Sequence, residues 1–347
     1  MKSFFQTFYA KYERHLSVGV FVLGFIWDFF TLNKIDQLID NLVLTGYLVI
    51  SGFFIVFYQA YKSGRVQRPF FTKIARISPL IVQFAFGGLF SGYVIFYSRS
   101  ATFLSSWPFL LVIVGMFVGN EFLRRRYYRL VFQIGVYFLG LFSYFVFLVP
   151  VLLGKIGTKI FILSGALAIL AILIFILIIL HAGKKILVRR KFGIFLAIFI
   201  VYGIFNLAYF KNWIPPVPLS LKEIGVYHFV EKDINGNYVF GKQDKSWKDY
   251  IPFYLDRFKL YSGNNAYLFS SIYAPTRLNT EIINQWSYYD EAVNKWVNAG
   301  SIKYSISGGR DDGYRGFSTK DVFPGKWRVD VLTVDNRLIG TKKFVVE

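Results

Sequence analysis

The sequence predicts an α-helical integral membrane bundle of seven transmembrane helices, followed by an all-β, sandwich-like extracytoplasmic domain. Three observations carry this. The 347 residues are 55% hydrophobic, with 40 Phe and a mean hydropathy of +0.44, a composition from which a water-facing surface is not built. Charge divides unevenly: residues 1–210 hold 21 Lys/Arg but only five acids, Glu13, Asp28, Asp36, Asp40 and Glu121, whereas residues 211–347 hold 19 Lys/Arg and 15 acids. Beyond residue 220 the apolar runs give way to short alternating segments separated by Gly, Asn, Asp and Pro, the pattern of strands and turns.

A helix crosses about 30 Å of hydrocarbon with roughly 20 apolar residues. The runs Leu16–Leu32, Leu42–Ala60, Pro79–Tyr97, Trp107–Leu123, Leu130–Leu153, Ile160–Leu180 and Phe192–Phe210 meet or approach this length. They are apolar all round, so a soluble bundle with polar faces at period 3.6 is a poor rival. The first run is short and contains Asp28. No small-residue cleavage site and soluble chain follow it, so it reads as a retained helix rather than a signal peptide.

The segments between the runs set the orientation. The N-terminal segment and every second connection carry 17 Lys/Arg, from Lys2 through Arg65 and Arg126 to Lys191. The alternate connections carry four: Lys34, Arg99, Lys155 and Lys159. The positive-inside rule places the basic side in the cytoplasm, which puts the N-terminus inside and everything after Phe210 outside. The net charge of +20 is thereby explained by topology and anionic lipid; no basic stretch interleaves with a stacking platform in a soluble domain, so nucleic acid is not an expected partner.

Lys211–Leu221, with Pro215, Pro216 and Pro218, reads as a stiff linker between a domain at 1–210 and one at 222–347. Asn235-Gly236, between Tyr227–Val230 and Tyr238–Phe240, signals a tight hairpin. Strands are expected at Tyr267–Tyr273, Glu281–Tyr289, Lys295–Asn298, Ser301–Ser307, Tyr314–Thr319, Lys326–Val334 and Leu338–Val346. In the second-last, Trp327, Val329, Val331 and Thr333 share one face. Spacing near ten residues favours a sandwich. Residues 241–265 stay ambiguous, with Trp247–Tyr261 as a short helix or an anchored loop.

Several motifs stand in order along this half: Ile214-Pro215-Pro216-Val217-Pro218, Gly225-Val226-Tyr227-His228, Ile272-Tyr273-Ala274-Pro275-Thr276, Gly308–Gly316 and Gly325-Lys326-Trp327-Arg328-Val329. Together they resemble a family of uncharacterised bacterial multi-spanning inner-membrane proteins with a C-terminal β-rich domain of unknown function. The resemblance covers about residues 213–347 and implies a bacterial inner membrane with a periplasmic C-terminal domain. It implies no activity and no catalytic residues.

The densest polar chemistry is Gly308–Gly316. Arg310 and Arg315 offer planar guanidiniums to a carboxylate or phosphate, with Asp311, Asp312 and Tyr314 beside them. The bland reading is a hairpin in which Arg and Asp pair with one another. No Gly-Lys-Ser/Thr follows, so it is not a nucleotide loop, and the acid spacing matches no calcium loop. Trp286, Tyr288, Tyr289 and Trp296 offer stacking faces to sugars or pack a small core. His228, near Glu231 and Asp233, lies on the expected hairpin and reads as solvated rather than catalytic.

Within the apolar runs, Asp28 and Glu121 are the intramembrane polar candidates. Both lie near span ends, so an interfacial position competes with a proton or substrate role; Glu121 also has Arg125 at i+4. Gln83, Asn120, Gln133 and Asn206 are scattered. Gly88-x-x-x-Gly92 and Gly115-x-x-x-Gly119 read as close packing of the third helix on the fourth, or as a homo-oligomer face. With no cysteine there is no disulfide, thiolate metal site or Cys nucleophile, and no metal or other cofactor is expected. Two functions remain open. In one, an anchored periplasmic β-domain binds an envelope ligand or protein partner. In the other, the helices form a transporter or lipid-handling enzyme with the β-domain as accessory.

Overall fold

The computed structural model describes residues 24–32, 37–66, 68–100, 103–122, 124–234, 238–241, 256–260, 265–310 and 312–347. A helical part precedes a β-rich part. The helices are α1 (described over 24–31), α2 (Leu38–Lys62), α3 (Pro69–Ser100), α4 (Phe103–Phe122), α5 (Leu130–Leu153), α6 (Thr158–Arg189) and α7 (Lys191–Phe210), with a 3-10 turn at Arg124–Tyr128. Among the described residues, α2, α3, α5, α7 and the Thr158–Ala182 part of α6 are long and apolar enough to cross a membrane. The expected fourth span is a shorter apolar stretch, Ser106–Asn120. Residues 16–23 of the first lie outside the described residues.

Two compact units divide the chain. The helical unit takes the described residues up to Ser98, Pro108–Leu148 and Ile162–Lys211; the second takes Arg99–Trp107, Val149–Phe161 and Asn212–Glu347. The β-rich unit is thus larger than the span that composition outlines, because two helix connections belong to it.

Inside the helical unit, close backbone approach is made by small residues, on neighbours other than those expected. A Cβ at Gly88 would lie 2.4 Å from the Tyr47 ring and one at Gly92 2.8 Å from Leu44, so this face of α3 packs on α2 rather than α4. A Cβ at Gly115 of α4 would meet nothing within 4 Å. The α3–α5 contact is fastened where Tyr93 donates to the Gly140 carbonyl at 2.7 Å. Stacked Phe142 and Phe205, 4.4 Å apart, join α5 to α7.

The second unit has ten described strands: β1 (Ser220–Tyr227), β2 (Val230–Lys232), β3 (Tyr238–Phe240), β4 (Asp256–Phe258), β5 (Asn265–Tyr273), β6 (Asn279–Asp290), β7 (Lys295–Ser307), β8 (Tyr314–Asp321), β9 (Gly325–Thr333) and β10 (Leu338–Val346). Order β1-β5-β8 makes one sheet, β4-β10-β9-β6-β7 a second, and β2-β3 a small hairpin. The hairpin pairs Val230 with Phe240, as the Asn-Gly signal requires, although residues 235–237 lie outside the described residues. The two expected strands at 295–307 are one, bent at Gly300, whose φ of +133° suits glycine, opposite a register shift at Trp286/Ser287. In the ambiguous stretch, β4 pairs parallel with β10. Residues 242–255 and 261–264, where a helix or loop is expected, lie outside the described residues.

One core serves both larger sheets. Leu268 and Ile272 of β5 meet Ile282 and Trp286 of β6, Trp327, Val329 and Val331 of β9, and Phe344 and Val346 of β10. The expected inward face of β9 is buried throughout, Thr333 included.

Candidate functional site

The Gly308–Gly316 loop joins β7 to β8, and its glycines explain its path. A Cβ at Gly308 would sit 1.7 Å from the Pro275 carbonyl oxygen. The Gly308 and Gly309 amides donate to Leu278 and Ala274 at 2.9 and 3.1 Å. Gly313 has φ +82°, its amide returns to the Arg310 carbonyl at 3.0 Å, and a Cβ there would press on Ser271 and Ile272. Ser271 Oγ donates to the Asp312 carbonyl at 2.5 Å. The backbone is therefore pinned to the β5–β6 connection, and the loop presents side chains from a fixed frame.

Those side chains separate into two arrangements. Arg315 Nη2 lies 3.3 Å from Asp312 Oδ2, with side-chain exposures of 39% and 81%, a surface pair of small energy. Arg310 is exposed and rests over the Tyr314 ring at 5.3 Å. The sequence left open whether arginines pair internally or face outward; the loop does both, Arg315 internally and Arg310 outward. Asp311 lies outside the described residues.

The stacking candidates also divide. Trp286 is fully buried, and Tyr288 packs on Phe323 and Trp327 at 5.1 and 5.9 Å. Tyr289 and Trp296 lie on the opposite face of the same sheet, 5.4 Å apart, and both are partly accessible. His228 packs against Phe258, ring centres 4.4 Å apart and tilted by 31°, and burial lowers its pKa from the usual imidazole value. Burial pushes the Tyr304 phenol up to about 12, against a 2.9 Å hydrogen bond with Ser270 that works the other way. No group of three His, Cys, Asp or Glu among the described residues is placed to hold a metal.

In the helical unit Asp28 lies beside Ser91 of α3. Glu121 falls in the last turn of α4, and its side chain is outside the described part. The amides that looked scattered are gathered. Gln83 Nε2 donates to the Asn120 carbonyl, and Asn120 Nδ2 to the Gln83 carbonyl, both at 3.1 Å. Tyr127 donates to Asn120 Oδ1, Gln133 Nε2 to the Tyr127 carbonyl at 2.6 Å, and Gln59 Nε2 to Gln133 Oε1 at 3.0 Å. Sequence reasoning passed over Gln59 and Tyr127; a lone amide one residue from the end of an apolar run was the available signal. Asn206 stays apart, donating to Tyr202 in its own helix.

A family model described as a protein of unknown function, DUF2914, matches residues 279–346, which span β6 to β10. No curated protein is similar to the chain by direct comparison. Among solved structures, the Pseudomonas fluorescens alkylpurine DNA glycosylase AlkC bound to DNA containing an abasic site analog aligns over 90% of this chain and 99% of its own. That alignment has 8% identity and a TM-score of 0.22 and carries no argument.

Proposed function

We propose that the chain is a multi-pass protein of the bacterial inner membrane with a cytoplasmic N-terminus, displaying its β unit in the periplasm as a binding module for an anionic envelope ligand or an acidic partner. The carrying observation is the coincidence of five long apolar helices with the 17-to-4 asymmetry of basic residues between alternate connections. Four of the amides within the helices, Gln59, Gln83, Asn120 and Gln133, join with Tyr127 in one hydrogen-bonded network, which supports a packed anchor over a solute path. Arg310, held outward on Tyr314 by a pinned loop, supports an anionic contact. The chain has no cysteine, so introduced cysteines report without background. Ones at Ser63, Arg126 and Arg190 should resist a membrane-impermeant maleimide in intact spheroplasts, and ones at Lys155 and Asn298 should react. The reverse pattern would overturn the orientation.

A further inference from the structure

The five-stranded sheet has a second face, turned away from the core, that the reading above does not use. Strand register places its side chains. Where Trp327 and Val329 point into the core, Lys326, Arg328 and Asp330 point out, and across the ladders Trp296 pairs with Tyr289, Ser287 with Arg328, and Gln285 with Asp330. Along β10, Lys343 stands opposite Arg328 and Thr341 opposite Asp330.

The chemistry on this face is ordered. The Arg328 guanidinium lies 4.8 Å from the Trp296 ring centre, and Lys326 Nζ lies 5.4 Å from that of Tyr289. The two rings meet edge to face, which holds both in place. Asp330 is recessed, its side chain 16% exposed, and it accepts from Thr341 Oγ1 at 2.7 Å while Arg328 Nε lies 2.9 Å from its other oxygen. The acid is thus engaged within the face, and the cations that stand outward are Lys326, half exposed and 3.6 Å from the exposed Glu291, and the exposed Lys343. Gln285 and Asn298 add amide donors and acceptors in the adjoining rows.

We infer that this face binds an acidic saccharide chain. A sugar ring has an apolar C–H face that matches an aromatic ring, hydroxyls that match amides, and, when it bears carboxylate or phosphate, a charge that matches lysine. A protein partner would call for a larger apolar centre than two partly buried rings provide. Tyr289 and Trp296 flank the β6–β7 turn, whose residues 291–294 are exposed. The inference rests on the reading that the β unit is periplasmic.

The test uses the full chain in nanodiscs of zwitterionic lipid, with polygalacturonate, neutral dextran and polyglutamate as probes. Polygalacturonate should bind most tightly. Trp296→Ala should weaken it about tenfold, and Lys343→Glu, an exposed change without folding risk, at least threefold, while circular dichroism stays unchanged. Polyglutamate binding as tightly as polygalacturonate, with no effect of Trp296→Ala, would reduce the face to bare charge and overturn the inference. So would no binding of polygalacturonate. A Ser305→Cys variant, at an exposed position outside the aromatic rows, separates the two readings: failure to label it in intact spheroplasts refutes the periplasmic location, whereas labelling without saccharide binding refutes only the saccharide face.

Discussion

Asp335, in the β9–β10 turn, caps the first turn of α6 from 177 residues away: its Oδ2 accepts the Thr158 amide at 2.7 Å and the Thr158 hydroxyl at 3.2 Å. A helix start leaves amides without partners, and a carboxylate there satisfies them and meets the positive end of the helix dipole. The neighbours are shaped for this contact. Gly157 has φ +119°, and a Cβ on it would lie 2.6 Å from Asp335 Oδ2. Ile156 packs on the β core. The α5–α6 connection is therefore part of the β unit.

Asp335→Ala should cost about 1 kcal/mol, the usual loss for a helix cap. Gly157→Ala should cost more, since it adds backbone strain to the clash. Thermal unfolding of the full chain, followed by near-ultraviolet circular dichroism of the buried Trp286 and Trp327, checks both. Equal midpoints for wild type and Asp335→Ala would show that the cap contributes nothing.

That contact also marks where sequence reading stops. Apolar runs and the alternation in β9 depend on neighbours a few residues away, so both were legible. The short β4 was not, because three residues become a strand only by lying parallel to β10, about 90 residues on. Ser220 and Leu221 follow three prolines and read as linker from sequence, yet they pair with Tyr273 and Ile272 of β5. Gly154 and Gly157 carry no signal of their own in the sequence, and their role is visible only against Arg277 and Asp335. At the candidate site the glycines announced an unusual backbone. The division of labour between Arg310 and Arg315 came from Tyr314 and Asp312, at spacings the sequence shows but cannot rank.

His228 supplies a pH signature. Burial lowers its pKa below the ordinary value near 6.5, so the unfolded chain binds the proton more tightly than the folded one. The stabilisation is fully present above about pH 6.5 and is lost as pH falls through the lowered folded pKa. Unfolding midpoints of the β unit should therefore drop between pH 7 and pH 5, and His228→Gln should flatten that drop. An unchanged slope in the variant would assign the dependence to other groups.

In the helical unit, Gln133→Leu removes the acceptor of Gln59 and the donor to the Tyr127 carbonyl. Hydrogen bonds between apolar helices are each worth about 0.6 kcal/mol on average, so losing two should cost about 1 kcal/mol. Asn206→Leu, which loses one bond inside its own helix, should be near neutral. Denaturation in mixed detergent micelles compares the pair, and equal effects would deny the amide network a part in holding the helices together.

The Gly308–Gly316 loop separates frame from contact, and the two respond to different substitutions. Gly313→Ala attacks the frame, through its φ of +82° and a Cβ that would lie 2.7 Å from Ser271 Oγ, and should cost at least 1–3 kcal/mol. Arg315→Gln removes a surface pair and should cost about 0–1 kcal/mol. Arg310→Gln removes the guanidinium from Tyr314 and should cost about 0.5–1 kcal/mol. Stability alone thus identifies the frame, and accessibility identifies the contact. In purified protein an arginine-selective glyoxal should modify Arg310 faster than Arg315, whose guanidinium is paired with Asp312. In spheroplasts that retain envelope material, a ligand or partner on the loop should slow modification of Arg310 while leaving that of exposed Arg277 unchanged. Equal rates at Arg310 in the two preparations would mean that nothing in the envelope covers it, and the loop would then be a structural turn whose arginine faces solvent.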